Sequence, residues 1–299
     1  RRYLLLMQSI WNDIQKKFNS GDSYTKILYI NIGVFFVYKA FLVFSFLFQI
    51  NNLNDFLINY LYFPSNTIEF LKKPWTIISY MFLHVSFMHI LFNMIWFYFG
   101  SKLFLQYFNG KQLISVYIIG GISGALFYML CYNLFPVFNT SFRNSLLLGA
   151  SASVISIFIA VSTYVPNYRV SLPFFGNIQL KYIAFILIVL DIFNIEVSNP
   201  GGHISHLGGA IFGYIYIKLL NKGIDISVNY HNFINYFTRN KNKFKKVYKR
   251  KNTADDDIYR TNRANKQKKI NEILEKISKS GYESLSKSEK EILFKESKK

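Results

Sequence analysis

Four of the five histidines, His84, His89, His203 and His206, fall in two short stretches that are otherwise apolar. Asn93 follows His89 at i, i+4 spacing, so on a helix the two share a face and can donate to one point. A third stretch, Gly149-Ala150-Ser151-Ala152-Ser153, is made only of small residues. A serine hydroxyl is a weak nucleophile until a base takes its proton, and neutral imidazole is the usual base. Attack on a carbonyl creates an oxyanion, which donors aimed in advance stabilise. If Ser151 opens a helix, its backbone N–H has no intrahelical acceptor and becomes one more donor. Serine, imidazole and two side-chain donors make an acyl-transfer set. No Asp or Glu lies near either histidine in sequence, so a serine–histidine dyad is expected rather than a triad.

Such groups need a scaffold, and composition says which kind. Of 299 residues, 51% are hydrophobic, 19% aromatic and only 17% charged, with a formal net charge of +19. Soluble chains carry about 25% charged residues. A disordered or collagen-like chain is excluded, and a single cysteine excludes a disulfide framework and a thiolate zinc cluster. Mean hydropathy is only +0.17, so membrane character must be concentrated in one part of the chain. A helix crosses roughly 30 Å of hydrocarbon with about 20 apolar residues. Runs of that kind occupy 27–48, 85–108, 112–135, 149–165, 178–197 and 204–221.

Cations mark the cytoplasmic side of spanning segments. They gather in 1–26, at Lys102 and Lys111, at Arg169 and Lys181, and after residue 221, whereas 198–203 has none. That alternation suits six spans with both termini cytoplasmic. With inner ends read at the Asn109-Gly110 C-cap pair, Pro166 and Lys222, the side chains Asn93, Ser151 and His206 lie about 22–24 Å away at roughly 1.5 Å per residue. All three then share one level near the outer edge.

His84-Val-Ser-Phe-Met-His89-Ile-Leu-Phe-Asn93, Gly149-Ala150-Ser151-Ala152 and His206-Leu-Gly-Gly, in that order, resemble the rhomboid intramembrane serine proteases, bacterial type, over residues 27–221. The resemblance implies an all-α, polytopic membrane protein, a six-helix bundle with a water-filled cavity open to the outer side. It implies Ser151 as nucleophile, His206 as base, and His89, Asn93 and the Ser151 amide as oxyanion donors. Gly209 and Gly213 match the family's close-packing glycines, which let span six approach span four. Membrane-spanning helices are the implied substrates, and neither cofactor nor metal is implied. The family's first-loop Trp-Arg is here Trp75-Thr76, a departure that touches loop packing. The bacterial inner membrane is the expected location.

Blander roles compete for several residues. Ser153 and Ser156 are expected to bond the preceding turn. A histidine metal site built on His203 and His206 lacks a carboxylate or thiolate to complete it. His84 and His203 are expected to line the cavity or bond loop backbone, Cys131 to pack, and Asp191 to bond a neighbouring helix. Lys39 has no evident role. Two other functions remain: a non-catalytic, client-binding rhomboid-like protein, and a small transporter. Beyond the core, 222–264 reads as a basic juxtamembrane linker. Its 239–251 run suits anionic lipid headgroups, or equally a plain topology signal, rather than nucleic acid. Residues 265–299 read as a short helical cytoplasmic tail of unknown partner. Ile270, Ile273, Leu274 and Ile277 give one amphipathic helix over 267–279, Gly281 ends it, and Ser286 with Glu289 forms a capping box for a second.

Overall fold

The computed structural model describes residues 2–50, 52–141, 145–172, 176–228 and 253–297. The chain divides into two units, 1–239 and 240–299. In the first, α1 is Arg2–Ser20, α2 Ser23–Leu47, α3 Leu53–Leu61, α4 Thr67–Lys72, α5 Thr76–Ser79, α6 Phe87–Phe104, α7 Gly110–Leu134, α8 Pro136–Ser141, α9 Ser151–Tyr164, α10 Leu180–Asn194 and α11 Pro200–Leu220. Two minimal antiparallel pairs interrupt the helices: β1 (Phe63–Pro64) with β2 (Leu146–Leu147), and β3 (Arg169–Leu172) with β4 (Gly176–Gln179). The protein is an all-α membrane bundle.

Side-chain placement supports that reading. Phe46, Phe193 and Val197 are 81%, 72% and 75% exposed, while Phe97, Leu113, Tyr117 and Ile157 are fully buried. Large apolar side chains turned outward along whole helices belong against lipid rather than water. By length and composition α2 and α7 can each cross a membrane, and a third span arises if the bent pair of α5–α6 counts as one. The fourth helix, α9, is short, 14 residues or about 21 Å, and nearly every residue after Ser151 is buried by protein.

Local signals set the boundaries. Ser86 caps α6 by accepting from the His89 amide. Asn109 is not the C-cap expected from Asn109-Gly110: its side chain accepts from the Lys111 and Gln112 amides while the Gln112 side chain accepts from its own, a capping box that opens α7. Helix α6 therefore ends at Phe104, five residues early. The rise from Asn93 to that end is about 17 Å, against about 20 Å from Ser151 to the end of α9 and about 21 Å from His206 to the end of α11. Asn199, in the left-handed region at φ 45°, caps α11 with Pro200 in the first turn, which begins that helix four residues before 204.

Glycines set the packing of α7, α9 and α11. A Cβ on Gly209 would collide with the Ala152 carbonyl, and one on Gly213 with the Ser156 carbonyl. On α7, Gly124 faces Ala152 and Ser205, while Gly120 and Gly121 face Ser156 and Ser153. The first loop is held by Trp75, whose indole N–H donates to the Tyr60 carbonyl at 2.8 Å, and by Ser79, donating to the Leu61 carbonyl at 2.7 Å. Thr76 is fully buried and bonds the Lys73 carbonyl, so the loop packs without an arginine at that position.

In the second unit, α12 spans Thr253–Ser280 and α13 Lys287–Ser297. The helix starts twelve residues before the expected tail boundary at 265 and takes in 255–257. Gly281, at φ 75°, ends it, and Ser286 with Glu289 opens α13. The 239–251 basic run lies outside the described residues.

Candidate active site

Helices α6, α9, α10 and α11 border a cavity of about 840 Å³ whose polar lining includes His89, Asn93, Ser151, Asp191, His203 and His206 beside Ser145, Asn194 and Asn199, with Phe92, Trp96, Val154 and Phe158 among its apolar lining. The rest of the molecule fixes each polar group in place. Gly149, at φ 116°, a conformation open mainly to glycine, turns the chain from β2 into α9 and makes Ser151 the first residue of that helix. Its amide donates to the Tyr80 carbonyl at 2.9 Å, and the Tyr80 hydroxyl donates to the Gly121 carbonyl at 2.7 Å. A Cβ on Gly149 would lie 3.0 Å from the His89 Nε2 and 3.8 Å from the Ser151 Oγ. The imidazole and the hydroxyl therefore border one small space.

Asn93 is buried, and its amide nitrogen spends one N–H on the His89 carbonyl at 3.0 Å, leaving a second to donate. His206 stands one turn before Gly209, where α11 touches α9 beside Ser151. A close backbone approach between α11 and α9 thus lies next to both residues.

Asp191 bonds a neighbouring helix as expected, but sequence reasoning missed that its partner there is His206. Oδ1 of Asp191 lies 2.8 Å from the Nδ1 of His206 and also 2.8 Å from the Nδ1 of His203. A carboxylate in its ionised form only accepts, so in that form each Nδ1 donates to Oδ1, and a neutral ring bonded in this way keeps its lone pair on Nε2. Two expectations are corrected. A carboxylate does stand against the histidine, and a carboxylate does complete a set of potential metal ligands. Nearness in sequence was the wrong criterion, because Asp191 comes from α10 and reaches across to α11. Its usable signal was its position: an ionisable side chain inside an apolar span is a functional candidate by default.

The remaining candidates fall elsewhere. His84 is fully buried, meets the His89 ring edge-on at 5.0 Å between centroids, and does not line the cavity. Ser153 and Ser156 turn toward the α7 glycines, and their buried hydroxyls have no partner among the described residues. They do not bond the preceding turn as expected, because the close approach of α7 takes up that side. Cys131 is buried in an apolar cluster. The Lys39 ammonium lies 5.8 Å over the Phe35 ring, one turn earlier on α2.

Residues 71–223 match the family model described as the Rhomboid domain, slightly more than half of the chain. The chain belongs to the rhomboid family. Residues 253–299 match a second family, one of unknown function. Among curated relatives, RHOMBOID-like protein 12, mitochondrial, of Arabidopsis thaliana is 26% identical over 71% of this chain and 62% of its own length. Presenilin-associated rhomboid-like protein A, mitochondrial, of Danio rerio is 29% identical over 52% of this chain and 40% of its own length. Rhomboid protease GlpG of Yersinia pseudotuberculosis is 26% identical over 53% of this chain and 52% of its own length. The chain thus spans less than two thirds of each of these relatives.

Proposed function

We propose that the protein is an intramembrane serine endopeptidase that cleaves transmembrane segments of other membrane proteins. Ser151 is the nucleophile. His206 accepts the hydroxyl proton at Nε2 as the Oγ–carbonyl bond forms, then delivers it to the leaving amine, so an acyl-enzyme and a free amine result. Water, deprotonated by the same nitrogen, attacks the ester and restores the hydroxyl. His89, Asn93 and the Ser151 amide donate to the oxyanion of both tetrahedral intermediates. Asp191 extends the expected dyad: by accepting from Nδ1–H it holds the tautomer in which Nε2 is basic and stabilises the imidazolium that forms. A helical substrate must unwind locally first, since its amides are otherwise engaged in its own hydrogen bonds.

The observation that carries this reading is the convergence of Ser151, His206, His89 and Asn93 on one cavity, with a carboxylate on the far nitrogen of the imidazole. The proposed topology has six spans, α2, α6, α7, α9, α10 and α11, with both termini cytoplasmic in a bacterial inner membrane, on the lysine and arginine asymmetry. The proposed division of the chain is 1–26, 27–221, 222–264 and 265–299, with the last boundary moved to 253 by the start of α12.

Cleavage of a single-span substrate by purified wild type and by Ser151→Ala decides between protease and client-binding protein. Wild type should cut and Ser151→Ala should not. Equal cleavage by both, with contaminating protease excluded, sinks the proposal, and binding without cleavage by wild type favours the client-binding reading.

A further inference from the structure

Orienting one imidazole takes one carboxylate, yet the Asp191 oxygen is met by two. His203, one turn before His206 on α11, has no task in acyl transfer, but its Nδ1 lies at the same 2.8 Å from Oδ1. One ligand atom from each of Asp191, His203 and His206 lies within 4.8 Å of the others. The side chains are only 11%, 20% and 19% exposed, and all three line the cavity.

We propose that Asp191, His203 and His206 bind a divalent cation of the zinc class, and that occupation switches off His206 as a base. Two imidazoles and one carboxylate, with an open fourth position, are the donor set of a three-ligand zinc site. Nitrogen donors favour zinc and its neighbours over magnesium or calcium, which prefer all-oxygen shells. With bonds of roughly 2.0–2.1 Å, ligand atoms of a tetrahedral site stand about 3.3 Å apart. The two 2.8 Å pairs need to open by about half an ångström, and the two imidazole nitrogens, within the 4.8 Å spread of the set, need to close by at most about 1.5 Å. The cavity supplies an entry path and room for a water as fourth ligand.

The switch follows from the proton count on imidazole. A neutral ring has one N–H and one lone pair. Free of metal, Nδ1–H faces Asp191 and the lone pair at Nε2 is available to the Ser151 proton. With metal on Nδ1 the proton moves to Nε2, and no lone pair remains for serine. No proton is gained or lost overall; it changes nitrogen. Metal at Nδ1 and base function at Nε2 are mutually exclusive. The inhibitory half of this proposal rests on the proteolytic reading, whereas the binding half does not.

The full-length Ser151→Ala protein, in detergent, separates the two. Titration with Co²⁺ followed by its visible absorption, and with Zn²⁺ by calorimetry, should give one saturable site per chain. His203→Gln and Asp191→Asn, each in that background, should weaken it about tenfold or more. Absence of saturable binding, or binding indifferent to both changes in folded protein, overturns the site. In wild type, Zn²⁺ should stop cleavage and a chelator should restore it. In the single variant His203→Gln, the Zn²⁺ needed for half-inhibition, referred to that variant's own metal-free rate, should rise about tenfold. Saturated protein that still cleaves at full rate overturns the switch. A wild type that never cleaves, metal or not, removes the proteolytic reading and the switch with it, while the titration still decides the site.

Discussion

The interface of α7, α9 and α11 and the hairpin of α12 and α13 both join helices, by opposite chemistry. In the bundle, glycines meet serines, an alanine and bare carbonyls: Gly120 on Ser156, Gly124 on Ala152, Gly209 on the Ala152 carbonyl, Gly213 on the Ser156 carbonyl. In the tail the links are ionic. Lys276 bonds Glu289 at 3.0 Å across the hairpin, Lys279 bonds Glu275 at 2.7 Å within α12, and among the described residues Ile273 and Leu285 are the buried apolar side chains. Lipid is as apolar as leucine, so helices within it gain by fitting closely rather than by burying oil. In water the helices have little apolar surface to hide, and caps and charges specify the turn. The two carboxylates Asp191 and Glu289 differ in the same way: one is held by two imidazoles inside the bundle, the other by an ammonium and a serine at an exposed turn.

The largest effect should come from breaking the close fit. Gly209→Leu forces a branched side chain into the Ala152 carbonyl, and both backbones must part. Overpacking typically costs about 1–3 kcal/mol, more where backbone is the obstacle. Thermal unfolding in detergent should show a loss of at least about 3 kcal/mol, or no monodisperse protein at all. On the proposed mechanism cleavage should vanish, because the same contact sets α11, which carries His206, against α9, which carries Ser151. A stable and active Gly209→Leu protein would mean that close approach does not assemble the site.

Next in size is the carboxylate. In a soluble serine protease, changing the triad aspartate to asparagine costs about 10⁴ in turnover, because the ring adopts the wrong tautomer. For Asp191→Asn kcat should fall at least about 100-fold while KM changes less than about threefold, with slower labelling of Ser151 by a serine-directed probe. Asp191→Glu should recover part of the loss. A fall in thermal stability with unchanged kcat would instead assign Asp191 a structural part alone.

These two residues mark what the sequence made legible. Gly209 was readable because its neighbours in sequence, His206 and Gly208, belong to one motif on one helix. The helical membrane character was readable because apolar runs of membrane length have few alternatives, although by length and composition only α2, α7 and the bent α5–α6 pair qualify as spans among the described residues. The Ser286–Glu289 cap was readable because three-residue spacing is a local code. The Asp191 pairing was not readable, since it joins side chains 15 positions apart on separate helices. Asn109 was misread for a related reason: Asn-Gly suits the end of one helix and the start of the next, and only Gln112 three residues on decides. The β1–β2 pair was equally hidden, because its two strands lie some 80 positions apart.

A smaller change should separate close fit from hydrogen bonding inside the bundle. Ser156 faces Gly120 with a buried hydroxyl that has no partner among the described residues. Removing an unpaired buried polar atom relieves a desolvation cost of about 1–3 kcal/mol, partly offset by the small void left. Ser156→Ala should therefore leave unfolding within about 1 kcal/mol of wild type, on the stabilising side, with cleavage unaffected. Destabilisation beyond that would mean the hydroxyl has a bonding role in the folded bundle.

The smallest effect on cleavage should come from the tail. Every described residue lining the cavity lies between Val85 and His206, so the tail contributes none of them. Deletion from residue 253, which removes α12 whole where a cut at 265 would split it, should leave cleavage of a model substrate within about threefold, under about 0.7 kcal/mol. The tail's own chemistry is better probed at Glu289. The Ser286 amide, the Lys276 ammonium and the Ser286 hydroxyl hold its carboxyl down to about 2. A depressed carboxylate stabilises the hairpin fully above its unfolded value of about 4.3, and that contribution is lost as pH falls through the folded value. A ¹³C carboxyl titration of the full chain should give Glu289 a midpoint well below 4. Lys276→Gln should move that midpoint upward, though not to the unfolded value, because Ser286 still donates. A midpoint unmoved by Lys276→Gln would leave the serine cap as the whole of the turn's specification, and the ionic half of the contrast between bundle and tail would fall.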